Sequence, residues 1–185
     1  MSRERSSTSV ITIPRLAAKY KEAKEIASAS ITKDRSTWNM KIDSVFAAPI
    51  DQVWAAMQHP EHSQTNVPDV FRKSDLIKEE GNTKTLQLEV RVLGLPSQTM
   101  TAHITCDQSG HSMRVVTEKG LQDLNVTYTL TALAPDRTLL TYAGTAEEKV
   151  SIPLPSQSIV EGALRELFIA QVHAIQKEMG APKAG

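Results

Sequence analysis

The sequence predicts one α+β domain in which a curved antiparallel sheet closes around a long C-terminal helix, preceded by a basic arm. Three observations predict it. Apolar residues recur with a period of two through most of residues 36–149. Short turn signals separate those runs, so the strands they form are antiparallel neighbours. After Pro155 the period returns to 3.6 and holds to Met179. At 185 residues the chain suits one domain with a short appendage, and such a domain buries roughly two-thirds of its unfolded surface without staples.

The arm spans residues 1–35 and carries eight basic and four acidic side chains. Met1 to Thr12 is polar; Pro14 then opens a helix that runs through Ala23. Its apolar stripe, Leu16, Tyr20, Ala23 and Ala27, is thin. Both a partly ordered extension and a helix that docks or touches a membrane fit this pattern, and deletion of residues 1–30 is expected to leave the fold intact.

From Ser36 the sheet begins, with Trp38, Met40, Ile42 and Phe46 alternating with Asn39, Lys41, Asp43 and Val45. Ala47-Ala48-Pro49 ends that strand, and Ile50, Val53, Trp54 and Met57 follow at helical spacing until His59-Pro60. The polar stretch Pro60 to Pro68 suits a brief second helix or a loop. Further strands are expected over Val70–Lys78, Thr83–Leu93, Gln98–Asp107, around Met113–Val116, over Leu124–Ala132 and from Thr138 to Lys149, making about six to seven in all. The final helix, with a capping-box pattern at Ser158-Ile159-Val160-Glu161, presents Val160, Ala163, Leu164, Leu167, Phe168, Gln171, Ala174 and Ile175 on one face. Gly180 and Pro182 end it, leaving 181–185 as a flexible tail. A helix of this span is about 30 Å long, enough to cross a bent sheet.

Composition excludes several classes of function. Lys+Arg and Asp+Glu number 21 each, so the chain lacks the electrostatic footprint of a nucleic-acid binder, and aromatics at 4% leave few residues to stack on bases. The single cysteine, Cys106, forms no internal disulfide and reads as a small core residue in a reducing compartment. No run approaches the roughly 18 apolar residues of a membrane span, and the N-terminus has no apolar signal region. A cytoplasmic location is expected, with organellar import a minor alternative that the arm's four acids oppose.

Strand one ending in Phe46-Ala47-Ala48-Pro49 and continuing as Asp51-Gln52-Val53-Trp54, at the head of this element order, resembles the START-like (SRPBCC, helix-grip) superfamily in its polyketide cyclase/dehydrase or lipid-transport-like branch. The resemblance covers about residues 36–180 and rests on Ala48, Pro49, Val53 and Trp54. It implies a helix-grip fold with short helices after strand one and a cavity between sheet and C-terminal helix for lipids, sterols, quinones or polyketide-like molecules. It transfers no catalytic residue.

Strict alternation selects the walls of such a cavity. Trp38, Met40, Leu86, Leu88, Val90, Met100, Ala102, Ile104, Val126, Tyr128 and Tyr142 are expected inward from the sheet, opposite Leu164, Leu167, Phe168 and Gln171 of the helix. The same rule turns Glu89, Arg91 and His103 outward. The inward polar groups are then Tyr128, Tyr142 and Gln171, and a buried tyrosine needs a hydrogen-bond partner for stability alone. His59-Pro60-Glu61-His62 brings two histidines and a carboxylate together, but zinc ordinarily wants a further ligand and a rigid scaffold, so no metal is expected there and polar helix-end residues are the simpler reading. Asn125-Val126-Thr127 matches a glycosylation sequon inside a predicted strand, where chance explains it. There is no glycine-rich phosphate loop and no Gly-x-Ser-x-Gly elbow, and no cofactor is expected. Leu93-Gly94-Leu95-Pro96 and Ile152-Pro153-Leu154-Pro155 place apolar residues in loops that would rim the cavity and could, like the basic arm, touch a membrane transiently.

These features favour a non-catalytic binder or carrier of a small hydrophobic molecule. A cyclase or dehydratase using Tyr128 or Tyr142 is the alternative, and a protein-interaction module using the basic arm is a third reading. Ligand identity and oligomeric state are not written in the sequence.

Overall fold

The computed structural model describes residues 23–92, 95–149 and 157–180. In chain order its elements are β1 (Ser28–Asp34), β2 (Thr37–Phe46), α1 (Ile50–Met57), a 3₁₀ turn (Pro60–His62), α2 (Ser63–Asn66), β3 (Phe71–Glu80), β4 (Thr83–Val90), β5 (Gln98–Asp107), β6 (Ser112–Glu118), β7 (Gln122–Ala134), β8 (Arg137–Glu148) and α3 (Gln157–Gly180). The architecture is α+β: one open antiparallel sheet in the order β1-β2-β8-β7-β6-β5-β4-β3, with the long C-terminal helix packed on it. Strands β3 to β8 form the expected meander. What joins its end to the front of the domain is a long-range pairing of β2 with β8, in register from Thr37↔Glu147 to Phe46↔Thr138.

The sheet holds eight strands, more than the periodicity alone gave, because it starts earlier than Ser36. Residues Ser28–Asp34, assigned to the arm by sequence, form an edge strand paired from Ser28↔Asp43 to Asp34↔Thr37, and Arg35 turns the chain back at φ 55°. Its burial alternates only between exposed and half-buried, and Ile31 is its one large apolar side chain. Such a strand is held by backbone hydrogen bonds to β2 and carries little hydrophobic period to read. The helix predicted from Pro14 falls on residues 1–22, outside the described residues. Ala27, placed on its face, is not helical: Lys24 and Glu25 lie in a turn, and the Ile26 amide donates to the Ala23 carbonyl at 3.1 Å.

Other boundaries move by a few residues. Strand β4 stops at Val90 and α3 starts at Gln157. Ser158 therefore sits inside the first turn of α3, and Glu161 pairs with Arg165 one turn on, at 3.0 Å.

Alternation puts Trp38, Met40 and Ile42 of β2, Met100, Ala102, Ile104 and Cys106 of β5, and Leu124, Val126, Tyr128 and Leu130 of β7 on the buried face. Helix α3 covers that face with Val160, Leu164, Phe168, Val172 and Ile175, while α1 and α2 pack on α3. The sheet needs one close approach. Gly144 of β8, at φ 155°, lies so near β7 that an added Cβ would sit 2.1 Å from the Asn125 carbonyl oxygen, a position only glycine fills.

Candidate functional site

A cavity of about 100 Å³ lies between the sheet and the C-terminal half of α3. Its floor comes from Leu86 and Leu88 of β4, Ala102 and Ile104 of β5, Met113 and Val115 of β6 and Tyr128 of β7. Phe71, Ala56 and Met57 wall one side, and Gln171, Ala174 and Ile175 of α3 cover it. Small side chains make up part of its lining: Ala102, fully buried and in register with Leu86, together with Ala56 and Ala174. Ligand sites commonly enclose roughly 300–1,000 Å³, so a lipid-sized guest requires α3 or the mouth to move outward.

Polar groups within are few. Tyr128 packs edge-on against Tyr142, ring centres 5.0 Å apart, and Tyr142 leans on Phe168 at 5.6 Å. Burial pushes both phenols well above their ordinary value, and the neighbouring Tyr142 adds to the effect on Tyr128. Each stays protonated across the physiological range: able to donate a hydrogen bond, poorly matched to proton exchange near neutrality.

The mouth is polar and built by the 3₁₀ turn, α2 and the end of α3, where His59, Pro60, Ser63, Asn66 and Glu178 border the opening. Both Glu178 carboxylate oxygens lie 3.1 Å from His62 Nδ1, and the Asn66 amide donates to one of them at 3.0 Å. Burial pushes the Glu178 carboxyl up, but the bonds from Asn66 and His62 outweigh it and hold the group below the usual carboxylate value. Glu61 repeats the arrangement. Burial raises it, while its own backbone amide, His59 at 3.2 Å and Lys84 at 3.2 Å bring it below the ordinary value. Lys84 also donates to the Gln58 carbonyl at 2.8 Å, and Ser74 to the Pro60 carbonyl at 2.8 Å, so the turn is tied to β3 and β4.

Of the residues that alternation selects, Leu86, Leu88, Ala102, Ile104, Tyr128 and Gln171 border this cavity. Trp38, Met40, Val126, Tyr142, Leu164 and Phe168 lie in the same core beside it, and Trp38 is occupied by a 2.7 Å bond from its indole nitrogen to Glu148. Val90 and Met100 pack in a second cluster with Val70, Phe71 and Ala163, and Leu167 packs against both clusters. Alternation names a face; it does not say where on that face facing side chains are too short to meet. The apolar walls missed by sequence, Ala56, Met57, Phe71, Met113, Val115, Ala174 and Ile175, were visible as apolar residues, but nothing local marked them as bordering a void. Cys106 is buried, and burial pushes its thiol up despite the partly offsetting charge of Lys84, which keeps it unreactive. Leu93, Gly94 and residues 150–156 of the apolar loops lie outside the described residues; Leu95 is half-buried against the second cluster. No helix among the described residues is long and apolar enough to cross a membrane.

No curated protein matches the chain in sequence. Solved structures match in fold. The Zhui aromatase/cyclase from Streptomyces sp. R1128 superposes with a TM-score of 0.68 at 16% identity, covering 78% of this chain and 94% of that one. A START superfamily protein from Mycobacterium smegmatis gives 0.61 at 16% identity, covering 76% and 95%. Human STARD10 gives 0.57 at 10% identity, covering 89% and 78%. The family model described as polyketide cyclase / dehydrase and lipid transport matches residues 37–180, the whole sheet from β2 onward together with α3, and the chain belongs to that family.

Proposed function

We propose that this protein binds and carries a small, mostly apolar molecule in the cavity beneath α3. The observation that carries the reading is the chemistry of the wall. Its depth offers hydrocarbon, one tyrosine hydroxyl and one glutamine amide, and among the described lining residues the other ionisable groups, His59 and Glu178, are at the mouth. General acid–base chemistry needs a matched pair within hydrogen-bond reach of the substrate, whereas retention of an apolar guest needs buried area and a group or two to orient it.

Tyr128 supports a second reading, a cyclase or dehydratase, because its ring borders the cavity. Native mass spectrometry of protein purified from its host should show a retained organic molecule. Tyr128→Phe removes only the hydroxyl, so a carrier should lose at most about 1–2 kcal/mol of affinity for that molecule. Conversion of the molecule by the protein, with turnover lost about a hundredfold in Tyr128→Phe at unchanged affinity, would replace the carrier reading with the enzymatic one.

A further inference from the structure

We propose that His59, Glu61 and His62 form a binding site for a divalent transition-metal cation, zinc by its chemistry, at the mouth of the cavity, with Glu178 holding His62 in place. One donor atom from each of the three residues lies within 4.8 Å of the others. Tetrahedral zinc with bonds of about 2.0–2.1 Å brings its ligands to about 3.4 Å from one another. The donor atoms therefore have to close by up to about 1.4 Å, and the near-parallel rings have to turn so that their in-plane lone pairs converge on one point. Their exposure permits it: the side chains of His59 and His62 are 47% and 48% exposed and stack face to face, centres 5.0 Å apart.

The surroundings are those of a metal site. A histidine ligand almost always donates its second ring N–H to a carboxylate, a backbone carbonyl or water. His62 has such a partner in Glu178, itself fixed by Asn66, and the turn carrying all three ligands is anchored through Ser74 and Lys84. The sequence motif alone lacked this support, because Glu178 is 116 residues away from His62. Lys84 is the opposing charge, 3.2 Å from Glu61, and Glu79 at 3.8 Å offers it an alternative partner once Glu61 turns to a cation. Two imidazoles and one carboxylate suit zinc; calcium asks for six to eight oxygen donors and magnesium for near-ideal octahedral oxygen geometry, which this set does not supply. With three protein ligands, a fourth position remains for water or for an oxygen of the cavity's guest.

Zinc alone, titrated into the chelator-treated full chain against a chromophoric competitor, should bind one equivalent per chain, with magnesium unable to displace it. His59→Ala and His62→Ala should each weaken binding at least tenfold, and Glu178→Gln by about tenfold through loss of ring orientation. His103→Ala and His173→Ala, at histidines paired instead with Glu118 and Glu25, should leave it unchanged. Cobalt substitution should give the absorption bands of a four-coordinate site. Circular dichroism identifies any variant that fails to fold, and the two exposed histidine positions make that outcome testable on two separate variants. Substoichiometric zinc, or equal affinity in His59→Ala, His62→Ala and the parent, overturns the site. The result is independent of cavity occupancy, because it needs no organic ligand.

Discussion

Ala102 shows how one side chain decides between a pocket and a packed core. It is fully buried on β5 and borders the cavity beside Ile104. In a filled interior, Ala102→Leu would force neighbours off their rotamers and cost about 1–3 kcal/mol. Here the added carbons are expected to extend into the cavity that Leu86, Ala56 and Ala174 also line. The ligand-free variant should melt at or above the parent's midpoint and bind any cavity ligand more weakly. A midpoint lowered by the overpacking penalty, about 2–4 °C for each kcal/mol at this size, would show that the wall has no room to give. Alternation alone supports the first half of this reasoning, since Met100, Ala102, Ile104 and Cys106 all face inward. Which of them meets empty space depends on α3, whose contribution at that point is Ala174 and Gln171.

At the scale of elements, the segment before β1 is tied to the C-terminal helix by a hydrogen bond to a carboxylate. Glu25 accepts from His173 of α3 at 3.0 Å. Burial pushes the Glu25 carboxyl up, but the bond from His173, its own backbone amide and the nearby charges outweigh this, so the folded group titrates below its ordinary value of 4.5. A carboxyl depressed in the folded state stabilises above its unfolded value and loses that contribution as pH falls through the folded one. Glu25→Gln should therefore lower the melting midpoint at pH 7 by about 1–3 °C, the range of a partly exposed hydrogen bond to a carboxylate. The deficit should shrink below pH 4.5 and vanish once the parent carboxyl is protonated. A pH-independent deficit would mean that packing rather than charge holds the segment. No local pattern in the sequence announces a partner 148 residues distant.

Across the whole molecule, β1 changes what the N-terminal region contributes. The expectation that residues 1–30 are dispensable rested on their few large apolar side chains. In the structure Ile26, Ala29 and Ile31 pack against the main core, and β1 covers the β2 edge from Asp43 to Thr37. Removal of residues 1–34 should expose the backbone groups of β2 at the sheet's end, beside Trp38, Met40 and Ile42, and create an edge prone to pairing with other chains. The midpoint should fall by about 10 °C, corresponding to about 3 kcal/mol or more, and the truncated chain should self-associate. An unchanged midpoint with a monomeric product would return β1 to the status of an appendage.

The sequence by itself determined the fold class, the inward residues of nearly every strand and the span of the long helix to within two residues. The reason is that a period of two or 3.6 is a local consequence of backbone geometry, repeated over many residues. It also carried the Ala48, Pro49, Val53 and Trp54 segment at the junction of β2 and α1, whose place in the element order pointed to the family. Tertiary structure alone decided the pairing of β2 with β8, the edge strand β1, the position of the cavity and the meeting of the His59–His62 turn with Glu178. Each of those is a contact between residues far apart in the chain. Its energy depends on which side chains are left facing one another after the sheet and α3 have packed, and no window of neighbouring residues contains that information.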